Sequence, residues 1–292
     1  MTIKKWQGIY KPLTAAGVLM LSGCNAALLE PKGMVGVDQR NLIITAFILM
    51  MLVVVPVIIM TFVFAWKYRE SNTKAKYEPN WAHSNKLEAV IWGIPIIIII
   101  ALAVITWESS HSLDPQKPIA SNQKPIDVEV VALDWKWLFI YPQYGIATIN
   151  ELAVPVDTPI RFSITSDTVM NSFFIPRLGS QIYAMAGMTS HLNLIANEPG
   201  TYTGISANFS GNGFYGMHFQ TIAQTDQDFQ SWVNRVRQSG RSLDQNAYHE
   251  LTYPSMKNPP EFFSSVKPNL FQSIVRSFNG NQDGQKAPGV GE

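Results

Sequence analysis

The sequence predicts a membrane-anchored α+β protein: a two-helix transmembrane hairpin, then a Greek-key β-barrel or β-sandwich, then a C-terminal helical tail. Two long runs without any charged residue, at 41–66 and 89–107, predict the helices. Short alternating segments separated by turn residues predict the β-domain at 125–224. Only 15% of the 292 residues are charged, against about 25% in soluble domains.

The charge balance and the cysteine content exclude several classes of protein. The net charge is +1, so nothing in it indicates nucleic-acid binding. Cys24 is the single cysteine of the chain. One thiol excludes an internal disulfide, a Cys-x-x-Cys site and a copper site that needs two thiolates.

Residues 1–23 have the pattern of a bacterial lipoprotein signal peptide. A basic start precedes an apolar run at 13–21 that is too short to cross a bilayer. The next residues, Leu-Ser-Gly-Cys at 21–24, resemble a lipobox, in which the cysteine is lipidated and becomes the mature N-terminus. Because acyl chains contribute about 0.8 kcal/mol per buried CH₂, a lipidated Cys24 would hold the segment 24–40 at the membrane surface. The alternative is an ordinary signal peptide with an incidental cysteine.

The two transmembrane helices are predicted at 41–66 and 87–107. Each contains a proline, Pro56 or Pro95, which a membrane helix tolerates with a bend. Tryptophan ends both apolar runs, at the depth that aromatic residues favour in a bilayer. A pair of buried helices in a soluble core is the alternative, and the length of both runs argues against it.

The charges between the helices predict the orientation of the hairpin. The loop 67–86 carries five Lys or Arg residues against two Glu, whereas the segment 24–40 is balanced. Since positive loops stay in the cytoplasm, we expect a cytoplasmic loop and a periplasmic location for the mature N-terminus and for everything after residue 107. The predicted location is therefore the inner (cytoplasmic) membrane of a bacterium. A Pro-punctuated linker at 108–124 leads to the β-domain.

The C-terminal half changes from strand to helix patterning. Strands are predicted at 127–133, 135–141, 148–154, 159–165, 172–175, 190–196, 201–206 and 217–223. A helical arm is predicted at 225–280, with an amphipathic helix at 226–238 and a second helix near 270–278. The Gly- and Gln-rich end, 281–292, predicts disorder.

The loop at 204–217 has the spacing of a copper-binding loop without most of its ligands. Ser206 and Ser210 stand where such a loop has two thiolates, and Phe214 stands where it has an imidazole. Met217 alone could supply the expected ligand, a thioether. Taken by itself, the segment is better interpreted as a Gly-rich surface loop.

Glu88 lies at the cytoplasmic start of the second helix, one residue before the uncharged run. A solvated carboxylate is stabilised there by the helix dipole, which needs no further role. The functional alternative is a carboxylate that takes up protons at the mouth of a partner's channel.

Together these features resemble subunit II of the haem–copper respiratory oxidases, in the quinol-oxidizing branch of cytochrome bo-type ubiquinol oxidases. The similarity extends from the lipobox to about residue 280 and is strongest in five segments: 31–33, 64–69, 79–86, 134–137 and 171–179. It implies a cupredoxin-like fold for the periplasmic β-domain.

In the cytochrome c-oxidizing relatives, the resemblance implies a dinuclear copper centre with ligands from His, two Cys, a Glu carbonyl, His and Met. The matching positions in this chain are Asn171, Ser206, Ser210, Asn208, Phe214 and Met217. Serine hydroxyls cannot replace bridging thiolates, so we expect no metal and no cofactor in this chain. Met217, and the neighbouring Trp135 and Trp137, are interpreted as packing residues.

The resemblance also implies the partners. A catalytic subunit I would hold the haem and copper, smaller membrane subunits would complete the oxidase, and ubiquinol rather than cytochrome c would supply electrons. The complex would pump protons, with Glu88 at the inlet of the K-type channel and phospholipid around the helices. The alternatives are a stand-alone membrane-anchored periplasmic lipoprotein with a β-barrel binding domain and a copper-bearing subunit, the latter opposed by the single cysteine. A quinol site within this domain is not supported by any convincing pocket pattern.

Overall fold

A computed structural model describes residues 27–76 and 78–280, and its first part is a pair of long helices. Helix α1 spans Met34–Lys67 and α2 spans Asn85–Ser112. Both are long and apolar enough to cross a membrane. Each helix extends beyond its predicted span. Helix α1 has 34 residues and is about 51 Å long, so it reaches beyond a bilayer core that is about 30 Å thick. The predicted signal peptide, Cys24 and the C-terminal end 281–292 lie outside the described residues.

The β-domain consists of two facing sheets and a small third one. The first has the order β12-β3-β2-β1-β5-β8, the second β4-β10-β9-β6-β7, and the third pairs β11 with β13. The strands are β1 Ile126–Leu133, β2 Lys136–Tyr141, β3 Ile146–Ile149, β4 Glu151–Pro155, β5 Ile160–Ser166, β6 Asn171–Phe174, β7 Ile182–Ala184, β8 Ser190–Leu194, β9 Gly200–Ser206, β10 His218–Gln224, β11 Ser242–Leu243, β12 Glu261–Phe263 and β13 Ser265–Val266.

The strand predicted at 148–154 is wrong, since the chain passes there from one sheet to the other. Asn150, with a φ of 56°, separates β3 in the first sheet from β4 in the second. Asparagine tolerates this left-handed conformation better than most residues. Its side chain accepts a hydrogen bond from the Trp137 amide at 2.8 Å, which fixes the crossing.

The core between the two large sheets is aromatic beneath the loop at 204–217. Phe173 of β6 and Phe219 of β10 stack with ring centroids 5.2 Å apart. The Trp137 ring meets both of them edge-on, and Phe139 lies 5.0 Å from Phe219. These side chains are buried, and edge-to-face arrangements of this kind add to the stability gained from burial alone.

The C-terminal arm contains the two predicted helices and also a helix between them and strands that were not predicted. Helix α3 spans Asp226–Arg237, α4 Gln245–Thr252 and α5 Leu270–Gly280. The predicted apolar face of α3 is buried against the sheets, and its Thr225 cap accepts a hydrogen bond from the Asp228 amide. Strand β12 joins the edge of the first sheet beside β3, so the arm is part of the β-domain rather than a separate tail.

The segment before α1 is bound to the barrel, and this contact joins the membrane helix to the β-domain. The Lys32 amide donates to Arg177 O at 2.6 Å, and the Gly36 amide donates to Leu178 O at 3.0 Å. A Cβ on Gly33 would lie 2.3 Å from Ile195 O, so a larger residue cannot occupy this position without displacing backbone. We call residues 31–36 the joint.

Candidate functional site

The loop at 206–217 connects β9 to β10 and brings two of the predicted positions into direct contact. Ser206 is the last residue of β9 and Asn171 the first of β6, and both are buried. The Ser206 hydroxyl donates to Asn171 Oδ1 at 3.1 Å. A hydroxyl and an amide therefore hydrogen-bond to each other where the resemblance implies a thiolate and an imidazole.

The two asparagines of the site use their amide groups to hold the neighbouring β5–β6 turn. Asn171 Nδ2 donates to Val169 O at 3.0 Å, and Asn208 Nδ2 donates to Met170 O at 2.9 Å. The backbone carbonyl oxygen of Asn208 lies 3.3 Å from the Ser206 hydroxyl oxygen. It is therefore a second acceptor for the hydroxyl proton of Ser206. The polar atoms at these positions thus have partners within the protein.

The remaining three positions are filled by packing. Met217 is 2% exposed, its sulfur lies 4.0 Å from the Ser210 hydroxyl, and its carbonyl accepts from the Ser206 amide at 3.1 Å. Phe214 begins a short 3₁₀ turn and packs edge-on against Phe209, with ring centroids 5.6 Å apart. Methionine fills such irregular gaps readily, which agrees with the packing interpretation of Met217.

The side chain of Trp135 packs against the loop at 206–217. It adopts a φ of 62°, and its indole N–H donates to Ser210 O at 3.0 Å. A Cβ on Gly213 would lie 2.1 Å from a ring atom of Trp135, so the glycine allows the indole to lie directly on the loop backbone. Trp135 and the fully buried Trp137 therefore both make packing contacts.

The six positions do not fit a copper ion of the kind the resemblance implies for relatives. They present two hydroxyls, two amides, a phenyl ring and a thioether, whereas copper of that kind requires soft thiolate sulfur. Among residues 27–76 and 78–280, no three His, Cys, Asp or Glu side chains form a group that could hold a metal ion.

Glu88 lies far from this loop. It is in the first turn of α2, where its amide donates to Ser84 O at 2.9 Å, and its side chain is exposed. The end of α2 leads to the barrel, so about 36 Å of helix separates Glu88 from Ser112 at 1.5 Å per residue. The chain thus carries two candidate sites, one in the first turn of α2 and one in the β-domain.

One buried side chain was missed by the sequence analysis. Lys136 of β2 is 2% exposed, although lysine is seldom buried. Its ammonium donates to Tyr253 O at 2.8 Å and to the Ser255 hydroxyl. The signal available in the sequence was the lack of any polar alternation in β2, all of whose residues are buried because the arm covers its outer face.

Two protein families match the β-domain and the arm. The family described as Cytochrome C oxidase subunit II, periplasmic domain, matches residues 144–221, and the COX Aromatic Rich Motif matches residues 237–282. The first of these confirms the predicted cupredoxin-like fold class behind two apolar helices. A periplasmic domain behind two such helices indicates an inner-membrane protein.

Full-length relatives cover nearly the whole chain. Cytochrome bo(3) ubiquinol oxidase subunit 2 of Pseudomonas aeruginosa is 57% identical over 277 residues, which is 95% of this chain and 84% of the relative. The protein of the same name from Pseudomonas putida is 55% identical over 98% of this chain and 91% of the relative. Ubiquinol oxidase subunit 2 of Acetobacter aceti is 54% identical over 94% of this chain and 90% of the relative.

These identities exclude the alternative of a stand-alone lipoprotein and show that the chain is a subunit of an oxidase complex. The chain belongs to the family of subunit 2 of the cytochrome bo-type ubiquinol oxidases.

Proposed function

We propose that this subunit carries no redox centre and serves the ubiquinol oxidase as a structural and proton-supplying component. The observation that carries the first part is the buried hydrogen bond between Ser206 and Asn171. It places a hard hydroxyl donor and an amide acceptor at two of the positions where the resemblance implies copper ligands, and neither group binds copper in the way thiolates do. Electrons from ubiquinol would then reach haem and copper in the catalytic subunit without passing through this domain.

We propose further that Glu88 takes up cytoplasmic protons for the catalytic subunit, which pumps protons during oxygen reduction. Its exposed carboxylate lies in the first turn of α2, beside the Lys- and Arg-rich loop that the positive-inside rule assigns to the cytoplasm. An ionisable residue at the edge of a membrane helix is a natural candidate for proton transfer. The two helices would pack on the catalytic subunit and bring Glu88 to the mouth of its channel.

The topology belongs to the same proposal. Acylation of Cys24 would fix the N-terminus at the periplasmic surface, and the β-domain would cover the periplasmic side of the complex. The joint supports this arrangement, because it binds the start of α1 directly to the barrel and so requires both to lie on the same side. Catalytic and smaller membrane subunits, together with phospholipid, would surround the two exposed helices.

The oxidase purified from membranes tests the absence of a redox centre. We expect it to oxidize ubiquinol and not cytochrome c. The matched variant Met217→Leu conserves volume but removes the only soft ligand of the loop. Its copper-to-haem ratio and ubiquinol turnover should equal those of the unaltered complex. Loss of copper in this variant, or oxidation of cytochrome c by the unaltered complex, would contradict the proposal.

A further inference from the structure

The segment between α4 and β12, residues 253–258, is hydrogen-bonded to the barrel near both of its ends; we call it the strap. At its start, the Lys136 ammonium donates to Tyr253 O at 2.8 Å and also to the Ser255 hydroxyl. At its end, Asn150 Nδ2 donates to Asn258 O at 3.0 Å. Asn150 is the residue at which the chain crosses between sheets, so the end of the strap is fixed at this crossing.

The strap also contacts the loop at 206–217. The Lys257 ammonium lies 5.2 Å from the centroid of the Tyr215 ring, within range of a cation–π interaction. A Cβ on Gly216 would lie 3.2 Å from Lys257 Cγ, so the lysine stem packs closely on the loop backbone. Trp135 holds the loop through Ser210 and Gly213. The strap and Trp135 together hold the segment Ser210–Gly216 through contacts with four of its residues.

The buried ammonium of Lys136 makes the strap necessary to the barrel. Burial lowers the pKa of Lys136, and the nearby charges of Glu261 and Asp134 oppose this only in part. No ion pair between Lys136 and a carboxylate occurs in the described part of the chain. A buried ammonium without hydrogen-bond acceptors is costly, and the strap supplies both acceptors that Lys136 uses. The barrel and strap are therefore expected to order together.

We propose that Lys136 is the positioning residue through which the strap fixes the loop at 206–217 in one conformation. A metal ion bound to several residues of a loop cross-links them; here the cross-link is made of hydrogen bonds and packing within the chain. The strap belongs to the arm and is hydrogen-bonded to Lys136 and Asn150 of the barrel, so the arm is assigned the task of ordering the loop. This inference rests on the proposed absence of copper from the loop.

The inference is tested by hydrogen exchange in the assembled oxidase carrying Lys136→Met, which keeps the length of the side chain and removes its donors. We expect the amides of 204–217 and 253–258 to exchange at least about tenfold faster, while those of β1 and β5 are unchanged. The matched control is Lys267→Met, because Lys267 belongs to the same arm but donates to Gln245 at 2.9 Å, away from the strap. The control should leave exchange in 204–217 unchanged.

A milder variant keeps the test decisive if Lys136→Met does not assemble. Ser255→Ala removes one acceptor and should raise exchange in 204–217 in the same direction by a smaller factor. Faster amide exchange in the strap with unchanged exchange in the loop would overturn the inference. So would a Lys267→Met variant that speeds exchange in the loop as much as Lys136→Met does. Copper content is measured on the same samples. Copper in the loop would refute the proposed function, whereas the exchange result alone decides the role of the strap.

Discussion

Single side chains decide what the loop at 206–217 can bind. Ser206 occupies the end of β9 with its hydroxyl directed at Asn171, and this pair is buried. A thiolate at the same place would be a negative charge beside an amide oxygen, which is an unfavourable neighbour without a metal cation. The serine thus suits a metal-free loop, and the surrounding backbone hydrogen bonds keep its shape.

Glu88 is the residue on which the proton-supplying role depends. We expect Glu88→Gln to slow ubiquinol oxidation by roughly tenfold, because an amide keeps the shape of the side chain but cannot transfer a proton. Assembly and haem content should be unchanged. The measurement is turnover of the purified complex with ubiquinol.

The matched control for this change is Glu108→Gln, since Glu108 is an exposed glutamate near the opposite end of the same helix. It should leave turnover unchanged. Equal turnover of the Glu88 variant and the unaltered complex, with assembly intact, would remove the proton-supplying role from the proposal.

The sequence predicted the loop residues better than it predicted Lys136. Positions 206, 210, 214 and 217 could be found because their spacing is local and independent of the rest of the fold. The burial of Lys136 depends on Tyr253 and Ser255, which lie more than a hundred residues away along the chain. A local sequence pattern cannot predict a contact of that kind, because the contact forms only when the arm folds back onto β2.

Helix α5 packs against β1 through a glutamate whose ionisation opposes folding. Glu129 Oε1 accepts from Gln272 Nε2 at 3.1 Å. Burial raises the pKa of Glu129, the hydrogen bond from Gln272 lowers it, and the charge of Asp127 raises it again, with a net increase. A raised pKa in the folded state means that the unfolded chain ionises first. This contribution to stability therefore falls as the pH rises above the ordinary glutamate value of about 4.3.

We accordingly expect Glu129→Gln to stabilise the β-domain at pH 7 by on the order of 0.5 kcal/mol, and to lose this advantage below about pH 4. The amide retains an oxygen that can accept from Gln272. Thermal unfolding of the purified oxidase at several pH values measures the effect. Glu250→Gln, an exposed position on α4, is the control and should change nothing. A lower melting temperature of the Glu129 variant at pH 7 would contradict the expectation.

Elements with a long periodic pattern were predicted, and short or crossing ones were not. The four apolar residues of α3 recur at helical spacing, and the structure buries all of them. Strand β7 has three residues and β11 and β13 have two each, which is too short for alternation to be visible. The division between β3 and β4 falls at two adjacent polar residues, Asn150 and Glu151, but the change of sheet is decided by the backbone conformation of Asn150, which the sequence pattern does not show.

At the scale of the whole molecule, restoring the ligands that the resemblance implies tests whether this framework can hold copper. We expect the combined variant Asn171→His, Ser206→Cys, Ser210→Cys and Phe214→His to bind copper as a purple dinuclear centre, with Met217 as a further ligand. The reason is that Asn171, Ser206 and Met217 already contact one another or share hydrogen bonds. Visible absorption and copper analysis of the reconstituted protein are the measurements.

The control for this experiment is the same variant without Ser210→Cys, which offers a single thiolate and should not form the dinuclear centre. A folded four-residue variant that takes up no copper would show that these positions do not correspond to the ligands of the copper-bearing relatives.

The joint has a consequence for how the molecule moves in a membrane. Residues 31–36 bind the start of α1 to the barrel, and beyond the end of α2 Pro115 O accepts hydrogen bonds from the backbone and side chain of Asn193 on β8. The helical hairpin is therefore attached to the barrel at both ends, and neither attachment is a free hinge. A change in the tilt of the helices, imposed by bilayer thickness or by a neighbouring subunit, must rotate the periplasmic domain with it.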